Sequence, residues 1–462
     1  MINLVSNPQL LTWAGMLTRG LVLFLLLFYA GSVLEPVEST VFLLFISIVA
    51  FQSILDFGFA PAFIRFIAYL GHNNADSDPL AAVGFDYTKT NINEVITVFE
   101  WIYFRLTIVF FLLMATIGSA SLINPISKLA ESNIGWLSWI ITLSGSLFLF
   151  SFTRYAAILT GSNQISMLRI LELKIYLPLL VFLFIGNYLE ISYVWMILIL
   201  NLGYFLLFLL VRRQVTFFLG LEKKSIDGSL NQELVSVVFQ SAWRSGLGVL
   251  LSMGTITGSG LIVAQLASPV DASTYLSTQR LIIALGGYCY VPFQVIIPQI
   301  STFFASGNKL ELLKIADQAR AQVLILVLLI GLSTLIALEF VLPYFGYSFR
   351  LPSTNLWLVM IMYLLIERAG ATNMQLHSVS NKIKWHIANG VSGVIMICCM
   401  PFFYEGYGIL GMPISFLFGY LIFYLPYSNY LVFREFGHVN LRLDIFLTLL
   451  PITIMGLFVF NV

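Results

Sequence analysis

The chain has 462 residues, of which 59 % are hydrophobic and only 10 % charged, with a net charge of +1. An ordinary soluble domain carries about 25 % charged residues. So few charges cannot cover a water-facing surface of this size, and a near-neutral balance argues against a nucleic-acid partner. The 40 Phe and a mean hydropathy of +0.93 point to lipid as the main solvent. A membrane-crossing helix needs about 20 apolar residues.

The N-terminal segment has no basic region ahead of its first apolar run, so that run is expected to be the first helix and not a cleaved leader. Apolar runs predict thirteen spans: 11–33, 39–70, 97–118, 134–155, 173–189, 191–211, 240–267, 272–300, 321–345, 353–376, 384–403, 407–432 and 444–461. The runs are too long for strands and do not alternate. A loop of about 15 residues is expected near Ser119 to Asn133, the longest on its side. Placing the N-terminus in the cytoplasm puts fifteen of the 23 basic residues on cytoplasmic loops, Arg169 and Arg320 among them, and only Lys128 and Arg350 on the opposite side. That asymmetry sets the orientation.

The sequence repeats itself. Trp13, Pro36-Val37-Glu38 and Ser162-Asn163-Gln164 recur in order as Trp243, Pro269-Val270-Asp271 and Ser380-Asn381-Lys382. The expected organisation is an all-α membrane protein of two six-helix bundles around a central cavity, related by an axis along the membrane normal. The bundles span 1–211 and 240–432, joined by a cytoplasmic linker at 212–239, and 433–462 adds an extra helix.

Charges inside the spans are the strongest functional signal, because a charge at mid-bilayer costs at least about 2.5–3.5 kcal/mol and needs protein or water around it. Six arginines qualify, Arg19, Arg65, Arg105, Arg244, Arg280 and Arg368, against four acids, Asp56, Glu100, Glu339 and Glu367. The interior is therefore expected to lean positive, which suits a phosphate cargo, since Arg binds phosphate oxygens bidentately and stays protonated. Arg65, Arg105 and Arg244 lie near span ends and read equally as side chains snorkelling to the interface. Arg368 is expected to pair with a neighbouring helix, because Glu367 points about 100° away from it. Asp56 reads either as a structural hydrogen-bond acceptor or as a site for H+ or Na+ coupling, with Glu367 a second coupling candidate. Tyr288 and Tyr290, beside Pro292 and Pro298, are weak candidates for stacking on sugar rings.

Enzyme signatures are missing or misplaced. Gly-Lys does not occur, which removes the phosphate-binding loop and ATP drive. Asp76-Ser77-Asp78 matches the Asp-x-Asp of metal-dependent glycosyltransferases, but without a nucleotide-binding fold chance explains it. The four histidines lack metal-ligand spacing, so no metal and no cofactor is expected.

Leu55-Asp56-Phe57-Gly58-Phe59 followed by Arg65 resembles the second-helix signature of polysaccharide flippases, and Trp243, Gly246, Gly258-Ser259-Gly260 and Ala272 to Tyr275 resemble their seventh-to-eighth helix passage. The family is that of Wzx-type O-antigen and exopolysaccharide repeat-unit flippases of the MOP exporter superfamily. The resemblance implies two bundles in a V and transfer of undecaprenyl-diphosphate-linked oligosaccharide from the cytoplasmic to the periplasmic leaflet of a bacterial inner membrane. It also implies cavity arginines at Arg19 and Arg280, and a polysaccharide polymerase and a chain-length regulator as partners. The alternatives are a multidrug exporter of the same superfamily, whose cationic cargo prefers an acidic cavity, and a membrane polysaccharide polymerase, which typically carries a large outside loop.

Overall fold

In a computed structural model, residues 8–56, 58–60, 63–64, 67, 92–162, 164–219, 232–305, 307–341, 353–380 and 384–461 are described. Among them every regular element is helical. The described residues form thirteen main helices, α1 (Pro8–Ser32), α2 (Pro36–Ala50), α3 (Ile92–Leu113), α4 (Ser132–Gly161), α5 (Ile165–Tyr188), α6 (Tyr193–Leu219), α7 (Gln232–Leu266), α8 (Pro269–Cys289), α9 (Lys309–Ile336), α10 (Thr354–Ser378), α11 (Trp385–Tyr407), α12 (Gly411–Gly419, extended by Leu425–Phe436) and α13 (Leu441–Asp444, extended by Leu450–Asn461). Single π-helical turns at Met114–Gly118, Ala337–Val341, Tyr420–Tyr424 and Ile445–Leu449 follow or interrupt four of these spans. By length and hydropathy alone eight helical stretches can cross a membrane, and α8 with its bent continuation makes a ninth. One of the eight, Trp385–Phe436, contains both α11 and α12. Outside these stretches are α2, which is brief, and α5 and α10.

Entry chemistry repeats as the sequence does. Pro36 and Pro269 each occupy the first turn of their helix, where the missing N–H costs nothing. Glu38 accepts the N–H of Glu35 at 3.3 Å, and Asp271 accepts from the Ser268 hydroxyl at 2.8 Å. Both acids also sit at the positive end of the helix dipole.

Several expectations change. The second span is broken: α2 ends at Ala50, a short turn covers Gln52–Leu55, and Gly58 takes a left-handed φ of 71° that favours glycine. The expected loop at Ser119 to Asn133 is mostly helix, because α3 continues through its π turn into Ser119–Ser127. The span expected at 173 starts at Ile165, and the one expected at 321 starts at Lys309. The segment 212–239 is helix at both ends, to Leu219 and from Gln232; residues 220–231, like Asp76-Ser77-Asp78, lie outside the described residues.

The chain divides into two compact units, Met1–Gly246 and Leu247–Val462, with the boundary inside α7. In the first, α1 packs along α5 and α4 along α6. Rings fill its core: Phe110 stacks on Phe150 with centroids 5.0 Å apart, and Tyr103 meets Phe99 edge-on at 4.6 Å. Gly15 of α1 faces Arg169 and Glu172 of α5, with room for a Cβ in ordinary contact with both.

The second unit is organised around α10. Eleven consecutive side chains, Leu356 to Ile366, are buried, which only a helix enclosed on all sides allows. It is packed by α8, α9, α12 and α13. Met455 and Val459 of α13 join that core, so the last helix is part of this unit. Large apolar side chains such as Phe104, Ile117, Phe182, Phe402 and Phe446 are exposed, the inverse of a water-soluble surface and the normal state of a lipid-facing one.

Candidate functional site

The first unit encloses a cavity of about 180 Å³ among α1, α2, α4, α5 and α6. Its wall is mainly apolar, with Leu26, Phe42, Phe45, Val49, Ile197 and Leu200 contributing. The polar groups are few: Arg19, Thr142, Tyr176, Asn201 and Tyr204. Asn201 Nδ2 donates to the Ile197 carbonyl at 2.7 Å, and its Oδ1 is buried against Gly145, where a Cβ could not fit.

Arg19 lies near the middle of α1, with its side chain 39 % exposed. Its partner was not foreseen. Glu172 of α5, almost fully buried, lies with Oε2 3.7 Å from Arg19 Nη2 and 2.7 Å from Arg169 Nη1. Two guanidinium groups thus share one carboxylate. Arg19 Nε also donates to the Gly15 carbonyl at 3.4 Å, whereas Arg169 Nε makes no hydrogen bond among the described residues. Such a cluster retains one net positive charge, in low-dielectric surroundings where electrostatic interactions are strong. The sequence reading missed Arg169 and Glu172 because it began this span at 173. The signal was present: Arg169 and Glu172 are three apart, the spacing of helical neighbours, and follow the turn ending at Gln164.

Asp56 is 6 % exposed. Tyr103 Oη donates to its Oδ1 and the Ala60 N–H donates to Oδ2 at 3.1 Å. The carboxylate therefore joins the end of the broken second span to α3. Arg105 is exposed, with its guanidinium 3.4 Å from the centroid of the Trp101 ring. Arg65 lies outside the described residues, as does the Arg244 side chain, although its helix α7 is described. Glu339 is exposed and accepts from Thr354 Oγ1; Glu100 is half-buried.

In the second unit Arg280 is 7 % exposed on α8. Arg368 corrects an expectation in part: its ion-pair partner is its chain neighbour Glu367, Nε to Oε2 and Nη2 to Oε1 at 2.7 Å, while Nη1 also donates to α8. Both side chains are long enough to fold back across the 100° between them. The same guanidinium lies 5.3 Å from the Tyr290 ring centroid and 3.5 Å from the Gly286 carbonyl. Tyr290 stands at the 40° bend between α8 and Val291–Ala305, so the aromatic candidate and the paired charges meet at one break in the fold.

A third cluster contradicts the topology reading of one residue. Arg320, expected on a loop, is 3 % exposed within α9 and forms an ion pair with Asp444 of α13. Asn429 Nδ2 donates to the other Asp444 oxygen at 2.9 Å, and Asn429 Oδ1 accepts from Asn373 Nδ2. Asn440 Nδ2 donates to Asp317 at 2.9 Å. Four helices are joined by these contacts. No group of three or more metal-ligating side chains occurs among the described residues.

No family model and no curated protein matches the chain. Solved structures do. The lipid II flippase MurJ in an inward closed conformation is similar over 97 % of this chain and 92 % of its own, with a TM-score of 0.65 and 13 % identity. An inward-facing multidrug resistance MATE family transporter of the MOP superfamily covers 91 % of this chain and 96 % of its own, with a TM-score of 0.63 and 13 % identity. A MOP superfamily transporter from Pyrococcus furiosus gives 0.58 at 14 % identity, covering 95 % and 96 %. The all-helical, multi-pass membrane fold is that of MOP superfamily transporters.

Proposed function

We propose that this chain is a flippase that carries oligosaccharide linked to undecaprenyl diphosphate from the cytoplasmic to the periplasmic leaflet of a bacterial inner membrane, by alternating access. The observation that carries the reading is the sharing of Glu172 by Arg19 and Arg169 at the edge of a largely apolar cavity. A diphosphate adds two or more negative charges, and arginine forks match its oxygens in pairs. A cationic drug would meet the opposite charge balance there, since the only carboxylate of the cluster is already neutralised.

Arg280, Arg65, Arg105 and Arg244 remain further candidates for the path of the head group. Arg368 is a weaker one, because Glu367 cancels its charge. Coupling to H+ or Na+ through Asp56 or Glu367 is part of the proposal, as are an O-antigen or related repeat unit as cargo and a polymerase and chain-length regulator as partners. The test is transport of a lipid-linked oligosaccharide in proteoliposomes by wild type, Arg19→Ala, Arg19→Lys and Arg280→Ala. Loss with Ala at either position and partial recovery with Lys at 19 is expected. Undiminished transport by the Arg19→Ala/Arg280→Ala double variant overturns the cationic-path reading.

A further inference from the structure

We propose that the cavity of the first unit is a subsite for the first isoprene units of a prenyl diphosphate, whose phosphates lie on Arg19 and Arg169. The inference rests on the flippase reading and adds a lipid-recognition element to it. Three observations support it.

The first is how close the charge is to the apolar wall. Arg19 lines the cavity together with Val22, Leu23 and Leu26 of the same helix. These stand three, four and seven residues on, so they share one face of α1 with Arg19. Apolar surface and cation therefore line the same cavity. A prenyl diphosphate has the same sequence of parts: its first hydrocarbon carbon is attached directly to the phosphate oxygen. A glycerophospholipid does not, because glycerol and ester oxygens separate its phosphate from its acyl chains.

The second is size. An apolar cavity of about 150 Å³ holds one benzene ring. The cavity here, about 180 Å³, thus takes one or two branched five-carbon units and no long chain. The rest of a polyprenyl tail would stay in the lipid.

The third is donor supply. Arg19 is open enough to be reached, and Arg169 Nε has no hydrogen-bond acceptor among the described residues. Both donors belong to the cluster that already holds one positive charge in excess.

The test is a competition binding assay on the purified full chain in nanodiscs, using geranyl diphosphate, inorganic diphosphate and dioleoyl phosphatidate as probes. Geranyl diphosphate is expected to bind at least about tenfold more tightly than inorganic diphosphate, a modest return for several buried carbons. Arg19→Gln should weaken both diphosphates. Leu26→Trp, which fills the cavity, should bring the ratio between them close to one. Val49→Phe, from another wall, should do the same if the first variant fails to fold. Equal affinity of the wild type for the two diphosphates overturns the inference, as does phosphatidate binding as tightly as geranyl diphosphate. The flippase reading fails separately, through absence of transport by wild-type proteoliposomes in which geranyl diphosphate still binds.

Discussion

Arg320 of α9 and Asp444 of α13 form an ion pair in which the two side chains are 3 % and 5 % exposed, and that pair ties the last helix into the second unit. Removing one partner strands a buried charge. Arg320→Ala or Asp444→Ala should therefore destabilise the protein by about 3–5 kcal/mol. Arg320→Met combined with Asp444→Leu should recover much of that loss. Thermal unfolding of the solubilised protein, followed by size-exclusion, checks both. A double variant no better than either single one would mean that the surrounding amides, Asn429 and Asn373, also need the charges.

Glu172 holds two arginines apart from their own repulsion. Glu172→Gln keeps the shape and removes the negative charge, leaving Arg19 and Arg169 to repel each other across the same space. Lower thermal stability and tighter binding of inorganic diphosphate are expected together. Binding assays at two ionic strengths separate the effects, since an anion held by charge weakens as salt rises. Unchanged binding would show that Glu172 contributes packing and orientation alone.

Asp56 accepts from Tyr103 and from the Ala60 N–H, and either contact has a structural use at the break in the second span. Coupling and structure give different results. Asp56→Asn retains an acceptor oxygen, so a purely structural role costs little, and Tyr103→Phe tests the same hydrogen bond from the other side at about 0.5–1.5 kcal/mol. The proposed coupling role requires Asp56→Asn to lower ion-driven transport severalfold at normal expression and melting temperature. Full transport by Asp56→Asn assigns the residue to the helix break.

Gly411 begins α12 directly against the backbone of Phe403 in α11, where a Cβ would overlap the Phe403 carbonyl. Gly411→Ala must push two main chains apart and should cost about 1–3 kcal/mol. Gly406→Ala, where the added carbon meets nothing within 4 Å, is the control and should unfold at nearly the wild-type temperature. Equal losses at both sites would place the strain elsewhere.

Helix count is also testable. Six spans precede residues 220–231, so that segment and the N-terminus should report the same side of the membrane, the cytoplasmic one by the distribution of basic residues. A reporter after Asn461 should report the other side. A C-terminal reporter on the cytoplasmic side would remove one span.

Composition and hydrophobic run length were enough to determine an all-helical protein, of which eight or nine stretches among the described residues are long and apolar enough to cross a membrane, because lipid forces every backbone polar group to be satisfied within its own helix. The internal repeat was likewise legible at Pro36 and Pro269, where it reflects local capping chemistry that needs no distant partner. Arg19 stood out because a deep charge is costly wherever its helix sits. What the sequence could not supply was the partner of each charge. Arg169 and Arg320 looked like loop residues because basic side chains at the ends of apolar runs usually reach water. Arg169 is half-buried and Arg320 buried here because α5 and α9 begin earlier than their apolar runs, and because Glu172 and Asp444 meet them. Arg368 was expected to pair with another helix; it does reach the Gly286 carbonyl of α8, but its ion-pair partner is the adjacent Glu367. Hydropathy is a property of one segment at a time. The pairing of Arg19 with Glu172, 153 positions apart, and of Arg320 with Asp444, 124 positions apart, depends on which helices pack side by side, and that only the tertiary structure decides.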